Sequence, residues 1–253
     1  MVHFVGAGPG APDLITLRGA ALLGRADVVI YAGSLVNPEL LELCRADCAV
    51  YNSAGMTLEQ VLAVMTAAET EGKTTVRLHT GDPSLYGAVR EQMDALTAAG
   101  IPFRTTPGVS SFCAAAASAG AEYTLPGVSQ SVILTRMPGR TPVPEGEEIA
   151  SLAAHGASMA VFLSAGLLEG LQEELLRGAY GPDTPAALVY KASWPGERVL
   201  RCTVGTLAET GRESGIDRTA LVLVGDFLGN DYRRSKLYDP AFTTGFRRGT
   251  EER

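Results

Sequence analysis

Three short glycine-containing segments, each directly after an apolar or β-branched run, constrain the fold of this chain more than any other feature. They are residues 6–10 (Gly-Ala-Gly-Pro-Gly), 80–87 (Thr-Gly-Asp-Pro-Ser-Leu-Tyr-Gly) and 107–111 (Pro-Gly-Val-Ser-Ser). The runs before them predict strands, and helical patterns follow. Strands that alternate with helices predict a parallel, doubly wound α/β sheet over the first ~115 residues. Because the carboxyl ends of parallel strands share one edge of the sheet, we expect the three segments to converge there, where such sheets bind ligands.

The second half of the chain predicts another α/β domain, this time with a mixed sheet. Strands are expected at 131–136, 159–163, 186–191, 198–204 and 220–227. Only a turn region at 193–196 separates the third of these strands from the fourth, which favours a hairpin. The expected organisation is an N-terminal α/β domain at 1–119, a linker at 120–130, a C-terminal α/β domain at 131–232 and a basic tail at 233–253.

The tail carries six basic and three acidic residues. Such a composition predicts a solvated, partly disordered segment. Contact with an acidic ligand or with a partner subunit is the alternative interpretation.

The second glycine segment also has the residues of a helix start. Asp82 suits an N-cap and Pro83 the first helical position of a helix predicted over 84–99. The ligand-binding interpretation is that Gly81 allows close approach to the backbone, while Asp82 places negative charge near a cationic or polyhydroxyl ligand. In the third segment, Ser110 likewise suits a helix cap. The convergence of three such segments favours a binding site more than any one of them does.

Composition and motifs exclude several classes of protein. The formal charge of −7, from 21 basic and 28 acidic residues, disfavours a general nucleic-acid binder. We expect no membrane span and no secretory signal, and the four cysteines are too few for a disulfide scaffold, so a reducing cytoplasm is the expected compartment. The three histidines are scattered, and no metal site is expected.

A nicotinamide-dependent dehydrogenase is the alternative enzyme on residue patterns alone. Ala11 stands where the dinucleotide fingerprint needs its third glycine, and no acidic residue ends the second strand. The first segment therefore fails the tests of that motif.

Two segments in the second half place basic side chains at predicted strand ends beside prolines. They are residues 136–142 (Arg-Met-Pro-Gly-Arg-Thr-Pro) and 190–195 (Tyr-Lys-Ala-Ser-Trp-Pro). Arg136, Arg140 and Lys191 together would suit a ligand with several carboxylates, although each could equally be a solvated surface charge. Trp194, the single tryptophan, either stacks on a flat ligand or covers the predicted hairpin.

In order and spacing, the three glycine segments resemble the cofactor loops of the tetrapyrrole (class III) methyltransferases, which use S-adenosylmethionine in cobalamin and sirohaem synthesis. The resemblance extends over about residues 2–228. Residues 31–36 (Tyr-Ala-Gly-Ser-Leu-Val), 135–142 and 190–195 resemble the branch that methylates C11 of precorrin-4. Ala32 stands where the uroporphyrinogen branch has an aspartate, and Asn52-Ser53-Ala54 where it has a lysine, so that branch is less favoured.

The resemblance implies a methyltransferase with two α/β domains, S-adenosylmethionine in the cleft between them, a tetrapyrrole polycarboxylate substrate and a homodimeric state. Matching motifs imply that these residues bind the cofactor: Pro9, Gly81, Asp82, Leu85, Ser110, Ser111, Leu163 and Ala187. Candidate substrate contacts are Tyr31, Ser34, Arg136, Arg140, Lys191 and Trp194. No general base is identified.

Several alternatives stay open on sequence grounds. The chain could be another precorrin or uroporphyrinogen methyltransferase, or a non-catalytic nucleotide-binding module on the same fold. Diphthine synthase shares the cofactor loops, but its protein substrate gives no reason for the Arg136 and Lys191 segments. Nothing in the sequence indicates whether the tetrapyrrole carries cobalt.

Overall fold

A computed structural model describes residues 1–33 and 35–250. The chain folds into two compact units. The first contains Met1–Ala115 together with Lys191–Arg198, and the second contains Ala116–Tyr190 and, among the described residues, 199–250. The inclusion of Lys191–Arg198 in the first unit has no signal in the sequence pattern, and the domain boundaries expected from the sequence stay a proposal.

The first unit contains the parallel sheet that the sequence predicts. Its strands are β1 (Val2–Gly6), β2 (Val28–Tyr31), β3 (Ala49–Asn52), β4 (Thr75–His79) and β5 (Phe103–Thr106), in the order β3-β2-β4-β1-β5 with every pair parallel. The helices are α1 (Leu17–Leu23), α2 (Leu58–Thr70), α3 (Arg90–Ala98) and α4 (Ser111–Ala119), which continues into the second unit. Short 3₁₀ turns span Pro12–Leu14, Pro38–Leu43 and Ser53–Gly55.

Both faces of this sheet are buried, because alternate strand residues pack into two separate apolar clusters. Phe4 and Ile30 pack on one face with Met65 of α2, and Val29 and Leu78 pack on the other face. Burial on both faces is typical of parallel sheets and explains why their strands read as continuous apolar runs.

The helix predicted over 84–99 is wrong at its start, because α3 begins only at Arg90. Residues 83–86 form a turn and residues 87–89 have no regular structure, and Tyr86 and Ala88 take left-handed φ angles of 54° and 45° that a right-handed helix does not accommodate. Asp82 is therefore not the N-cap of α3, nor is Pro83 its first residue. The physical reason is that the Asp82 carboxylate bonds outside its own segment, as described below.

The second unit contains a mixed sheet, as predicted. Its strands are β6 (Val132–Arg136), β7 (Ser158–Phe162), β8 (Pro185–Tyr190), β9 (Arg198–Thr203) and β10 (Ala220–Val224), in the order β6-β7-β10-β8-β9. Strand β6 runs parallel to β7, and β10 runs antiparallel to both β7 and β8. The predicted strand over 220–227 is too long, because a 3₁₀ turn at Asp226–Leu228 follows β10.

Helices α5 (Ile149–Ala153), α6 (Leu168–Arg177) and α7 (Leu207–Ser214) pack on one face of the second sheet. Leu171 and Leu175 of α6 are fully buried against Met159 and Leu188. The sequence pattern predicts neither α5 nor α7, because their five and eight residues are too short to show a helical period.

The described part of the tail is largely exposed and folds on itself. The Arg247 guanidinium donates to the carbonyls of Leu237 and Asp239 at 3.0 and 2.6 Å, next to the 3₁₀ turn Lys236–Tyr238. Residues 251–253 of the predicted tail lie outside the described residues. In the part of the chain that the structure describes, no helix is both long enough and apolar enough to cross a membrane.

Candidate active site

The carboxyl ends of β1, β4 and β5 bring the three glycine segments together, as the sequence predicts. Gly8 and Gly81 form an isolated bridge, in which the Gly81 amide donates to the Gly8 carbonyl at 2.8 Å and the Gly8 amide donates back at 3.3 Å. A Cβ on Gly6 would lie 2.5 Å from Gly108 Cα, so only glycine permits this approach. The three backbones therefore form one continuous surface at the sheet edge.

Asp82 joins the second segment to the third. Its Oδ2 accepts from the Gly108 amide at 2.8 Å, and its Oδ1 accepts from the Ser84 amide at 2.8 Å and from the Ser84 hydroxyl. Partial burial raises the pKa of Asp82, but the hydrogen bonds from Ser84 and Gly108 outweigh it and hold the pKa below its usual value. The carboxylate is therefore ionised at neutral pH and clamps two loops together.

His79 lies directly before the second segment, and sequence reasoning missed it. The side chain is buried at the end of β4, with Nδ1 3.0 Å from the Thr80 carbonyl oxygen. Burial lowers the pKa of His79, against a smaller opposing effect of nearby backbone carbonyls. The imidazole is therefore neutral at pH 7, with its Nδ1 proton directed at Thr80.

Side chains from two distant segments hold the first glycine segment. Trp194 Nε1 donates to the Pro9 carbonyl at 2.9 Å, and Asn37 Nδ2 donates to the Gly10 carbonyl at 2.9 Å. The next amide, that of Ala11, donates to Ser193 Oγ at 3.0 Å. The sequence singled out Pro9 and Trp194 but not Asn37 or Ser193. The only signal for Asn37 was its place before a proline, and the only signal for Ser193 was its place within the 190–195 segment.

The third segment lies against the second. A Cβ on Gly81, whose φ is 59°, would lie 3.6 Å from both Ser110 Cα and Ser111 N. Ser110 is buried and Ser111 half-buried at the start of α4, and the Leu85 amide donates to the Asp82 carbonyl at 3.2 Å. The structure thus brings together all the cofactor residues predicted from the first unit: Pro9, Gly81, Asp82, Leu85, Ser110 and Ser111.

Unfavourable backbone conformations concentrate in the segments that carry the family motifs. Among the described residues, six non-glycine residues have positive φ: Tyr86, Ala88, Leu163, Lys191, Ser193 and Thr219. Tyr86, Lys191 and Ser193 lie within such segments and Ala88 directly follows one, whereas Leu163 is a candidate cofactor residue outside them. Such conformations cost about 1–3 kcal/mol each and cluster at functional sites.

The two cofactor residues predicted in the second unit differ in character. Leu163 follows β7 with a φ of 53° and is 65% exposed, which is unusual for a leucine. Ala187 lies in β8, paired with Leu223 of β10, and its side chain is fully buried. The Leu163 side chain is therefore accessible to a ligand, whereas the Ala187 side chain is packed inside the second unit.

Arg136 holds its own loop. Its guanidinium donates to the carbonyls of Met137, Thr141 and Pro142 at 3.1, 3.2 and 2.7 Å. Arg140, at the tip of the same loop, is exposed. The structure therefore gives Arg136 a part in shaping the loop and leaves Arg140 facing solvent.

The other substrate candidates lie in the first unit. Tyr31 is half-buried at the end of β2, and its carbonyl accepts from the Ser53 hydroxyl at 3.1 Å. Lys191 is half-buried, and its carbonyl accepts from the Trp194 amide at 2.9 Å. Ser34 lies outside the described residues.

The assembled groups suit an amino-acid nucleoside such as S-adenosylmethionine. Close-packed glycine backbones carry no side chain that would keep a ligand away, Asp82 carries a negative charge, and two serines and Leu85 complete the surface. Among the described residues, no group of three or more His, Cys, Asp or Glu side chains could hold a metal ion.

This architecture, with close-packed glycine loops at the end of a parallel sheet and a second mixed sheet, is that of a tetrapyrrole methylase. The model of the family described as Tetrapyrrole (Corrin/Porphyrin) Methylases matches residues 1–208, and the chain belongs to this family. Its members transfer methyl groups from S-adenosylmethionine.

Relatives within the family are similar over nearly their whole length. The chain is 50% identical to a cobalt-precorrin-4 C(11)-methyltransferase of Methanocaldococcus jannaschii, covering 98% of this chain and 96% of the relative. It is 48% identical to a precorrin-4 C(11)-methyltransferase of Sinorhizobium sp, covering 97% and 98%.

Solved structures agree with this placement. The structure of a cobalt precorrin-4 methyltransferase of cobalamin biosynthesis matches with a TM-score of 0.89 at 46% identity, over 90% of this chain and 96% of that one. A uroporphyrin-III C-methyltransferase from Thermus thermophilus, complexed with S-adenosylhomocysteine, matches with a TM-score of 0.74 at 27% identity, over 90% and 92%.

Proposed function

We propose that this enzyme transfers a methyl group from S-adenosylmethionine to C11 of precorrin-4 or cobalt-precorrin-4 in cobalamin biosynthesis. The observation that carries this proposal is near-complete coverage at 48–50% identity by relatives named for that reaction. One is named for the cobalt-containing substrate and the other for precorrin-4, so their names favour neither form. We therefore propose the precorrin-4 skeleton, with or without cobalt, as the substrate.

The first unit would hold the cofactor through the joined glycine segments. When bound, S-adenosylmethionine supplies a methyl group already activated on a sulfonium. The ionised Asp82 is placed to attract a cationic or hydroxyl group of that ligand, and Gly81 lets it approach the backbone. Leu85 would add apolar surface to this set, and the exposed Leu163 of the second unit stays a proposed cofactor contact. Ser110, Ser111 and Ala187 complete the proposed cofactor set.

Cationic side chains would hold the carboxylate arms of the tetrapyrrole. Arg140 is exposed at the tip of a loop that Arg136 shapes, and Lys191 is a further proposed contact, in the first unit. Because arginine and lysine pair well with carboxylates, these groups fit a polycarboxylate even in a chain of charge −7. Tyr31 and Ser34 stay proposed contacts for the same substrate.

The exposed edge strand β3 supports a homodimer. All four of its residues are exposed, including Val50 and Tyr51 at 43% and 40%, and none is charged. An uncharged edge strand readily pairs with another strand, and two copies can pair antiparallel about a twofold axis. We therefore propose β3 as the contact between subunits.

We also propose the cytoplasm as the compartment, because the four free thiols stay reduced there.

Calorimetric titration tests the proposed class directly. S-adenosylhomocysteine should bind with measurable heat, whereas NAD should not. Binding of NAD alone would favour the dehydrogenase alternative. Binding of S-adenosylhomocysteine without turnover of any tetrapyrrole would favour a non-catalytic module.

A further inference from the structure

We propose that Trp194 and Asn37 are positioning residues that fix the first cofactor segment, and that Trp194 does not contact the substrate. The inference rests on the proposed function, because it assigns the segment around Pro9 to the cofactor. It replaces the interpretation of Trp194 as a stacking platform for the tetrapyrrole.

Each residue from Gly8 to Ala11 has at least one backbone group bonded to a partner outside the segment, and that of Ala11 is its amide, which donates to Ser193 Oγ. Gly8 is paired with Gly81 through both of its backbone hydrogen bonds. The carbonyls of Pro9 and Gly10 accept from Trp194 Nε1 and Asn37 Nδ2, both at 2.9 Å. Four successive residues therefore depend on groups that come from distant parts of the sequence.

The two carbonyls have no easy replacement for these donors. Pro9 and Gly10 are both buried, so a carbonyl that lost its partner would stay away from bulk water. An unsatisfied buried acceptor costs about 1–3 kcal/mol, which favours a shift of the loop. A shift at Pro9 would move a predicted cofactor contact.

The Trp194 ring also lies directly on the segment. A Cβ on Gly10 would lie 2.0 Å from Trp194 Cδ1, so the indole packs against the glycine Cα. The indole thus both donates a hydrogen bond to Pro9 and fills the space next to Gly10. Both contacts of the indole are with the first cofactor segment, which supports a role in positioning that segment.

A tight turn presents the tryptophan. The Trp194 amide donates to the Lys191 carbonyl at 2.9 Å, and the Trp194 carbonyl accepts from the Glu197 amide at 3.1 Å. Lys191 and Ser193 take left-handed φ angles of 48° and 67°. Two residues of this turn thus have unfavourable backbone conformations. Such conformations persist where surrounding contacts fix them, which fits a turn held in shape by the contacts of the indole.

Both polar atoms of the Asn37 side chain are hydrogen-bonded. It is buried, and its Oδ1 accepts from the Glu39 amide at 3.0 Å while its Nδ2 donates to Gly10. Both ends of the amide are therefore used, one to start the 3₁₀ turn at Pro38–Leu43 and the other to hold the cofactor segment.

The test compares binding of S-adenosylhomocysteine with the KM for precorrin-4 at saturating S-adenosylmethionine. Trp194→Phe keeps an aromatic ring but removes Nε1–H, and Asn37→Asp keeps the acceptor for Glu39 but removes Nδ2–H. We expect both variants to weaken S-adenosylhomocysteine binding about 5- to 10-fold, as the loss of one buried hydrogen bond implies, with the substrate KM within about twofold of wild type. Tyr238→Phe, at an exposed aromatic residue of the tail, is the control and should change neither value.

A double-mutant cycle supplies an independent test. Gly10→Ala should weaken binding because its Cβ meets the indole, whereas adding Gly10→Ala to Trp194→Ala should have little further effect. Additive effects would overturn the proposal, as would an unchanged affinity in Trp194→Phe together with a raised KM for precorrin-4. If Trp194→Phe does not fold, as judged by thermal unfolding, Asn37→Asp and Gly10→Ala decide the question. Failure of the wild type to bind S-adenosylhomocysteine would contradict the proposed function itself.

Discussion

At the scale of single residues, Asp82 shows the limit of local sequence patterns. The Asp-Pro-Ser order around it predicts a helix cap, and its Oδ1 does accept from the Ser84 amide two residues later. Its other oxygen accepts from Gly108, which lies 26 residues away. No local sequence pattern predicts the contact between Asp82 and Gly108. The sequence predicted only that the two segments lie at the same edge of the sheet.

Asp82→Asn should loosen the joined glycine segments. An amide nitrogen in place of one carboxylate oxygen cannot accept from Ser84 or Gly108, so we expect the affinity for S-adenosylhomocysteine to fall roughly tenfold. Because folding lowers the pKa of Asp82, the wild type has this stabilising contribution above pH ~4 and loses it as the pH falls through the folded pKa. Thermal unfolding between pH 6 and 3 should show a steeper acid loss in the wild type than in the variant. Equal slopes and equal affinities would contradict this role.

His79 makes a separate contribution to the pH dependence of stability. Its pKa is lowered by burial, so below pH ~6.5 the unfolded chain takes up a proton that the folded protein resists. The free energy of unfolding should therefore fall as the pH drops from 7 to 5, and His79→Asn should remove part of that fall. Burial also lowers the pKa of His3. Because His3 is present in both the wild type and the variant, its contribution to the pH dependence cancels when the two are compared. His155→Gln, which removes an exposed histidine elsewhere in the chain, is the control variant.

At the scale of elements, strands were predicted better than the segments that join them. The strands β1, β2 and β4 could be predicted because burial on both faces of a parallel sheet makes them continuous apolar runs. The segment before α3 could not, because its course depends on contacts with other loops and on left-handed backbone at Tyr86 and Ala88. Helices as short as α5 carry too few residues for a period to appear.

Close packing of the glycine segments can be tested at Gly108. A Cβ there would lie 2.2 Å from the Gly81 carbonyl oxygen and must displace backbone. Gly108→Ala should lower the free energy of unfolding by about 2–3 kcal/mol and abolish measurable S-adenosylhomocysteine binding. Gly55→Ala is the matched control, since nothing lies within 4 Å of its Cβ position. Comparable chemical denaturation curves for the two variants would refute the packing argument.

The loop after β6 depends on Arg136. Because its guanidinium holds three carbonyls of residues 137–142, Arg136→Ala should disorder the loop that carries Arg140. We expect the KM for the tetrapyrrole to rise roughly tenfold with little change in the affinity for S-adenosylhomocysteine. Steady-state kinetics with the cofactor saturating measure the first quantity and calorimetry the second. An unchanged KM would remove this loop from the substrate site.

At the scale of the whole molecule, the fold class and the family could be predicted because three motifs occur in a fixed order along the chain. What could not be predicted is the grouping of Lys191–Arg198 with the first unit. The hydrogen bond from Trp194 to Pro9 joins residues 185 positions apart, and no periodicity or composition encodes such a pair. The sequence therefore allowed two interpretations of Trp194, stacking on a flat ligand or covering the predicted hairpin. Neither predicted a contact with the first cofactor segment.

The proposed subunit contact can be tested by solution mass. Val50→Lys places a charge in the middle of the exposed strand β3 and should prevent strand pairing between subunits. Light scattering should give twice the 26.5 kDa chain mass for the wild type and once that mass for the variant. Ala67→Lys, on the exposed face of α2, is the control and should leave the wild-type mass unchanged. A wild-type mass of one chain, or a dimeric Val50→Lys variant, would exclude β3 as the contact.

The most direct test of the central claim is the position of the transferred methyl group. The purified protein is incubated with methyl-labelled S-adenosylmethionine and, in parallel, with precorrin-4, cobalt-precorrin-4 or uroporphyrinogen III, and the labelled carbon is located by nuclear magnetic resonance. We predict one new methyl group at C11 of precorrin-4 or of its cobalt form, with one equivalent of S-adenosylhomocysteine released. Methylation of uroporphyrinogen III alone, methylation at another carbon, or no transfer to any of the three would contradict the account.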